Sequence, residues 1–223
     1  MVKMLQTMLR GSATSLEVFF LTLLFALPLA LPFCAGRMAK NKILSNIIKV
    51  FLLVIRGTPL MLQLLVVYFG PSLLCLWLNK NFATDFRVVW PRFLAAIVAL
   101  IVNYAAYFAE IFRAGIQSIG RGQYEAAKSL GMTYTQTMRR IIVPQMIRHV
   151  LPPVSNETIN LVKDTSLIYI LAMNDLLRVA RTIVQREFDM TPFFVAAVFY
   201  LVMTFVLTWG FKKLEAYYGK YDE

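Results

Sequence analysis

Glu110, Glu157, Lys163 and Asp164 stand in stretches that are otherwise apolar. A charge moved from water into hydrocarbon is costly, and one retained in a membrane span usually faces a cavity or a partner. Asn156, Asn160, Lys163 and Asp164 follow one another at three- and four-residue steps, so on a helix they share one broad face that could line an aqueous path. Glu157 and Lys163, six apart, point to different sides. Thr165 and Ser166 come next in the chain, and Asn103, Tyr104 and Tyr107 lie on a neighbouring segment. Carboxylates that accept, with a lysine and hydroxyls that donate, can hold a charged solute by charge-assisted hydrogen bonds. Bond-making chemistry has less support. His149, the one histidine, lies in a basic polar stretch, Cys34 and Cys75 form no C-x-x-C pair, and no metal-ligating cluster is visible. The chain also has no G-x-x-x-x-G-K-[ST] loop to cradle nucleotide phosphates.

The elements that must position these groups are membrane spans. Hydrophobic residues make up 59% of the 223 residues, and the mean hydropathy is +0.63, well above a soluble domain of this size. Apolar segments fall at about 14–35, 44–78, 92–112, 154–174 and 191–211, each close to or beyond the ~20 residues needed to cross hydrocarbon. The first contains the run Leu16 to Phe33, longer than the apolar core of a signal peptide and followed by Arg37, Lys40 and Lys42, so a retained span is expected. The second would reach roughly 50 Å as one helix and must bend, tilt or start along the interface. Arg56-Gly57-Thr58-Pro59 supplies the break: glycine is flexible, proline lacks an amide donor, and the residue before proline is pushed away from helical geometry. An interfacial helix turning there into a span is expected. The net charge of +11 is scattered between the spans instead of forming one stripe, which argues against nucleic-acid binding.

Lysine and arginine gather on the cytoplasmic side of membrane proteins. Their larger share here falls in the segments holding Arg37 to Lys49, Arg113 to Arg148 and Lys212 to Lys220, which predicts the N-terminus outside and the C-terminus inside. Residues 113–149 are then cytoplasmic. Glu125 to Leu130 reads as a helix stopped by Gly131, and Tyr134 to Ile142 as a second helix ending before Pro144. No repeat or low-complexity tract divides the chain, so 1–223 reads as one transmembrane domain with 113–149 as a cytoplasmic segment within it.

That segment carries a specific pattern: Glu125-Ala126-Ala127, three residues, Gly131, nine residues, then Ile141-x-Val143-Pro144. It resembles the EAA loop of ABC-importer permeases, with Val143 where leucine is commoner. Arg56 to Leu60, Ala109 to Ile116, Gly122-Gln123 and Lys163 to Leu167 are similar to the polar amino-acid uptake branch of that family, and the similarity spans about residues 12–215. The resemblance implies an all-α type I importer permease fold of about five transmembrane helices in a bacterial cytoplasmic membrane. It further implies a second permease, as a homodimer or with a sister chain, an ATP-binding subunit that carries ATP and magnesium, and an extracellular substrate-binding protein. No cofactor is expected on this chain itself. Glu125, Ala126, Ala127, Leu130, Gly131, Ile141 and Pro144 would couple it to the ATPase.

An amino acid brings an ammonium and a carboxylate, so its path needs an acceptor and a donor close together. Glu157 or Glu110 would hold the ammonium, and Lys163 with Thr165 and Ser166 the carboxylate; Asn103, Tyr107, Asn160 and Asp164 complete the expected substrate pathway. Two alternatives stay open: an internal salt bridge from Glu110 to Arg113, and a structural ion pair between Lys163 and Asp164. Asp175 to Asp189 and Asn79 to Pro91 would be external, touching the binding protein or simply solvated. A permease for another small polar solute is the alternative function; a self-sufficient secondary transporter, which would show inverted repeats, fits less well.

Overall fold

A computed structural model describes residues 2–82 and 84–219. Among them, helices α1 (Val2–Arg37), α2 (Lys42–Gly57), α3 (Leu60–Phe82), α4 (Arg92–Ser118), α5 (Arg121–Ser129), α6 (Tyr134–Thr137), α7 (Val143–Asp164), α8 (Leu176–Glu187) and α9 (Thr191–Gly219) follow in order. A π-helical turn, Met138–Ile142, joins α6 to α7, and a 3-10 turn, Thr165–Leu171, follows α7.

The bundle is organised around α4. Its buried face is rich in small residues, with Ala95, Ala96, Ala99, Ala105, Ala106, Ala109 and Gly115 all enclosed. Small side chains let helix backbones approach closely where lipid offers no hydrophobic driving force between spans. α1 takes the largest share of that face and α7 the next. Val18, Phe19, Ala26, Ala30 and Cys34 of α1 join the same core. At Gly115 the packing is tight enough that a Cβ would come within 2.1 Å of the Val150 side chain on α7. By contrast α3 and α9 bury little of themselves and offer long apolar flanks to lipid or to another chain.

Among the described residues four helices, α1, α3, α4 and α9, are long and apolar enough to cross a membrane. The fifth expected span corresponds to α7 with the 3-10 turn. α7 has 22 residues, about 33 Å of rise, so its length suffices. Its composition does not, because Arg148, Glu157, Lys163 and Asp164 interrupt it.

α2 doubles back against the end of α1, with Ile48 over Gly36 and the Phe33 and Phe51 rings 5.4 Å apart, and the break that follows, Arg56 to Pro59, is exposed. Two boundaries differ from the sequence-based expectation. α7 starts at Val143, well before the expected 154. The helix from Tyr134 also does not stop before Pro144. The chain stays helical because the Val143 amide reaches back to the Met138 carbonyl across a π-type turn. That wider turn absorbs the register defect a proline creates when its missing donor leaves a carbonyl unpaired.

Candidate functional sites

The break between α2 and α3 is built from its own sequence. Thr58 is extended, at φ −113 and ψ 146, as a residue before proline must be. Breaking a helix strands carbonyls, and within a bilayer each must find a donor. Gln63 supplies it: its Nε2 donates to Ile55 O at 2.6 Å, Thr58 Oγ1 at 2.8 Å and Thr58 O at 3.1 Å. Asn103 Nδ2 in turn donates to Gln63 Oε1 at 3.0 Å, tying the break to α4. Sequence reasoning missed Gln63. The signal was available, since the first turn after a Pro-induced break is where an amide side chain can reach the stranded carbonyls.

Around this break the structure gathers a polar cluster. The Arg56 guanidinium lies 5.1 Å from the centre of the Tyr107 ring, a cation-π arrangement. The Tyr107 hydroxyl points to Arg56 O at 3.4 Å. Glu157 is hydrogen-bonded by Asn160 and within electrostatic reach of both Arg56 and Asp164. Tyr104, buried in α4, donates to Asp164 Oδ2 at 2.7 Å. Asn156, Asn160 and Lys163 form an exposed polar row along α7 beside the cluster. Arg56 was expected only as part of the span break; the structure adds a second position for it, among the charges of α7.

Other expected pathway residues are placed differently. Asn103 is buried and committed to Gln63, and Thr165 is buried with its hydroxyl donating to Val162 O at 2.7 Å. Ser166 is partly exposed beside it. Glu110 lies at the end of α4 that leads to α5, bound to Arg113 at 2.6 and 2.8 Å. Arg37 Nε approaches its other oxygen at 3.3 Å, an ion pair without hydrogen-bond alignment. Arg113 also donates to Gln117, and Ser45 of α2 donates to Arg37 O at 2.7 Å. The internal salt bridge is therefore the arrangement observed for Glu110. Lys163 lies within electrostatic reach of Asp164, whose carboxylate accepts its hydrogen bond from Tyr104.

The second site is the short helix α5. It ends in a Schellman arrangement: Met132 N donates to Ala127 O and Gly131 N to Lys128 O, with Gly131 at φ +69, a conformation that glycine adopts without penalty. Glu125, Ala126 and Lys128 are exposed, and Leu130 is 78% exposed. Ala127 is fully buried against the chain itself, so it seats α5 and does not face outward as expected. Tyr134, 73% exposed at the start of α6, extends the apolar part of this surface and was not singled out from sequence. Ile142, next to the expected Ile141, is the residue fully enclosed, while Pro144 is exposed. Thr133 and Gln136 form a reciprocal capping box that starts α6. Gln145 Nε2 donates to Gln123 Oε1 at 3.3 Å, which links the first turn of α7 to α5. α5 is thus joined to the first turn of α7, the helix that carries part of the polar cluster.

Residues 19–217 match the family described as binding-protein-dependent transport system inner membrane component. The chain is 34% identical to the nopaline transport system permease protein of Agrobacterium fabrum, over 90% of this chain and 83% of that one. It is also 34% identical to the glutamine transport system permease protein of Escherichia coli, over 93% and 91%. A solved structure described as an amino acid ABC transporter with histidines superposes with a TM-score of 0.82, at 34% identity, covering 97% of this chain and 96% of that chain.

Proposed function

Because the chain belongs to the family of binding-protein-dependent transport system inner membrane components, we infer that it is the permease subunit of an ATP-driven amino-acid importer. It is a multi-pass protein of the inner membrane. ATP hydrolysis falls to a separate ATPase subunit that docks on Glu125, Ala126, Leu130 and Gly131 of the α5 end, and an extracellular binding protein delivers the solute. In this reading α5 is cytoplasmic, the N-terminus is outside and the C-terminus inside, in keeping with the basic residues near α5.

The observation that carries the reading is the polar cluster on α7. An exposed row of Asn156, Asn160 and Lys163 on a helix at membrane depth cannot face lipid without cost. It faces a second permease across a shared aqueous path. Glu157 is the acceptor for a substrate ammonium, and Lys163 and Arg56 are the donors for its carboxylate. Alternating access then follows from nucleotide-driven movement of the docked ATPases, carried through α5 and Gln145 into α7.

Two variants test the assignment in proteoliposomes with the ATPase and binding protein supplied. Lys163→Ala should abolish uptake while the complex assembles and its ATPase still responds to the loaded binding protein; loss of assembly would make Lys163 structural. Glu125→Lys should uncouple hydrolysis from uptake with membrane insertion intact. Normal uptake and normally stimulated hydrolysis in both variants would sink the assignment.

A further inference from the structure

Four charged side chains meet around the break between α2 and α3: Arg56 and Lys163 against Glu157 and Asp164, two of each sign. Asp164 accepts from Tyr104, and Glu157 is bonded by Asn160. Arg56 is held differently. Among the described residues its guanidinium makes no hydrogen bond and no direct ion pair, and it rests on the Tyr107 ring, 5.1 Å from the centre. Arg113, by contrast, bonds Glu110 at 2.6 and 2.8 Å. A cation held over a ring face alone is held weakly, and another cation can take its place.

The helix break builds that place. α2 ends with carbonyls that no amide of its own helix can reach. Val54 O takes the Thr58 hydroxyl at 2.9 Å, Ile55 O takes Gln63 Nε2 at 2.6 Å, and Arg56 O takes the Tyr107 hydroxyl at 3.4 Å. Tyr107 is thus tied by its hydroxyl to the backbone of the residue whose side chain covers its ring. Gly57 follows, where an added Cβ would meet nothing within 4 Å, so the space beside Arg56 is open. Arg56 is itself exposed, and Glu157 on α7 lies within its electrostatic reach. An aromatic face with a carboxylate in reach is a setting that recognises an organic ammonium. Here the chain's own guanidinium fills it.

We propose that Arg56 stands in for the solute's ammonium. In the empty path its guanidinium holds the place at Tyr107 and Glu157, and an amino acid enters by exchange: its ammonium takes that place and the freed guanidinium takes its carboxylate. The inference rests on the importer reading above. It adds Tyr107 as the seat of the ammonium, and Arg56 as the residue that selects for both ends of the solute. Charge makes the selection. Two positive and two negative groups sum to zero in the empty cluster, and a zwitterion leaves that sum at zero with each displaced charge matched again. An amine without a carboxylate displaces Arg56 and leaves it without a partner. A carboxylate without an ammonium draws Arg56 away and leaves Glu157 bare.

The test uses the full complex, the permease with its accompanying subunits, carrying 3-fluorotyrosine at position 107 and read by fluorine NMR. Without solute the resonance should move on Arg56→Gln and stay in place on Lys163→Gln. Glycine, the bare zwitterion, should move it in the wild type at a concentration roughly fivefold below methylammonium or acetate. In Arg56→Gln the vacated place should take methylammonium roughly fivefold more readily than in the wild type. Lys163→Gln, which removes the same charge from elsewhere in the cluster, should bind methylammonium as the wild type does. A resonance indifferent to Arg56, or glycine no better than methylammonium, overturns the proposal. Equal gains in Arg56→Gln and Lys163→Gln also overturn it, by reducing the effect to net charge. Melting gives a reading free of the label: Arg56→Gln and Tyr107→Leu should combine less than additively in the double variant, and additive losses overturn the contact. Uptake of a labelled mixture of the common amino acids by the wild type in proteoliposomes checks the importer reading separately. Uptake with a resonance that ignores Arg56 sinks the exchange alone, whereas a wild type that takes up none sinks the importer reading and the exchange with it.

Discussion

Two groups of charges share this bundle beside α4, one around Glu110 and one around Tyr104 and Tyr107, and they are built in opposite ways. At the α5 end, Glu110 takes both Arg113 and Arg37, Arg113 also reaches Gln117, and Ser45 ties the Arg37 backbone to α2. Both guanidiniums there share the one Glu110 carboxylate as a close partner. Around the helix break, Arg56 rests on a ring, Glu157 has an amide from its own helix and Arg56 within electrostatic reach, and Lys163 is exposed. A charge that only holds helices together gains most from close, multiply bonded partners. A charge that must bind and release a solute needs unused donors and acceptors. On the proposed function, the difference would separate structural from substrate-binding ionisable groups where residue type alone cannot, since both groups contain glutamate and arginine.

Removing Glu110 should have the largest effect on stability. Glu110→Ala leaves Arg37 and Arg113 facing each other with their shared acceptor gone, a loss of about 3 kcal/mol for a largely enclosed network. The measurement is the thermal melting of the purified complex, with Glu110→Gln recovering part of the loss. If Glu110→Ala melted like the wild type but failed in uptake, Glu110 would belong with the functional group and the contrast would collapse.

Gln63→Leu should come next. It strands Ile55 O and the Asn103 amide inside the bundle, at about 2 kcal/mol by the usual cost of unsatisfied buried polar groups. The break between α2 and α3 should loosen, read as faster amide exchange in the last turn of α2. Protection unchanged from wild type would mean that packing alone holds the break.

Much of this arrangement was legible in the sequence, and the limits have physical causes. Hydropathy located the four helices among the described residues that are long and apolar enough to cross a membrane, and Gly57 with Pro59 located the break, because both signals act over a few neighbouring residues. The ends of α7 were misjudged because a π turn, which no local residue announces, carries the helix past Pro144. Asn103 and Tyr107 sit only four residues apart on the same helix, yet one is locked to Gln63 and the other lies under Arg56. Which of two such residues is committed depends on contacts 40 to 51 residues away in the chain, and periodicity carries no information about that. Ala127 shows the same limit: its place in the motif is visible, but not that it faces inward.

The sharpest separation comes from the variant with the smallest expected effect on stability. Glu157 is partly enclosed and lacks a paired cation at bonding distance among the described residues, so Glu157→Gln removes a charge whose burial nothing fully offsets. Glutamine keeps the size and can still bond to Asn160, so melting should stay within about 0.5 kcal/mol of wild type or rise, as is common when a functional charge is neutralised. Uptake should fall at least tenfold, because an amide cannot supply the charge-assisted acceptor that an ammonium requires. Hydrolysis stimulated by the loaded binding protein should persist, since the path from α5 through Gln145 to the start of α7 is untouched. A Glu157→Gln permease that lost stability as Glu110→Ala does, with uptake falling only in proportion to folded protein, would place Glu157 among the structural charges and leave Arg56 and Lys163 without an acceptor to work with.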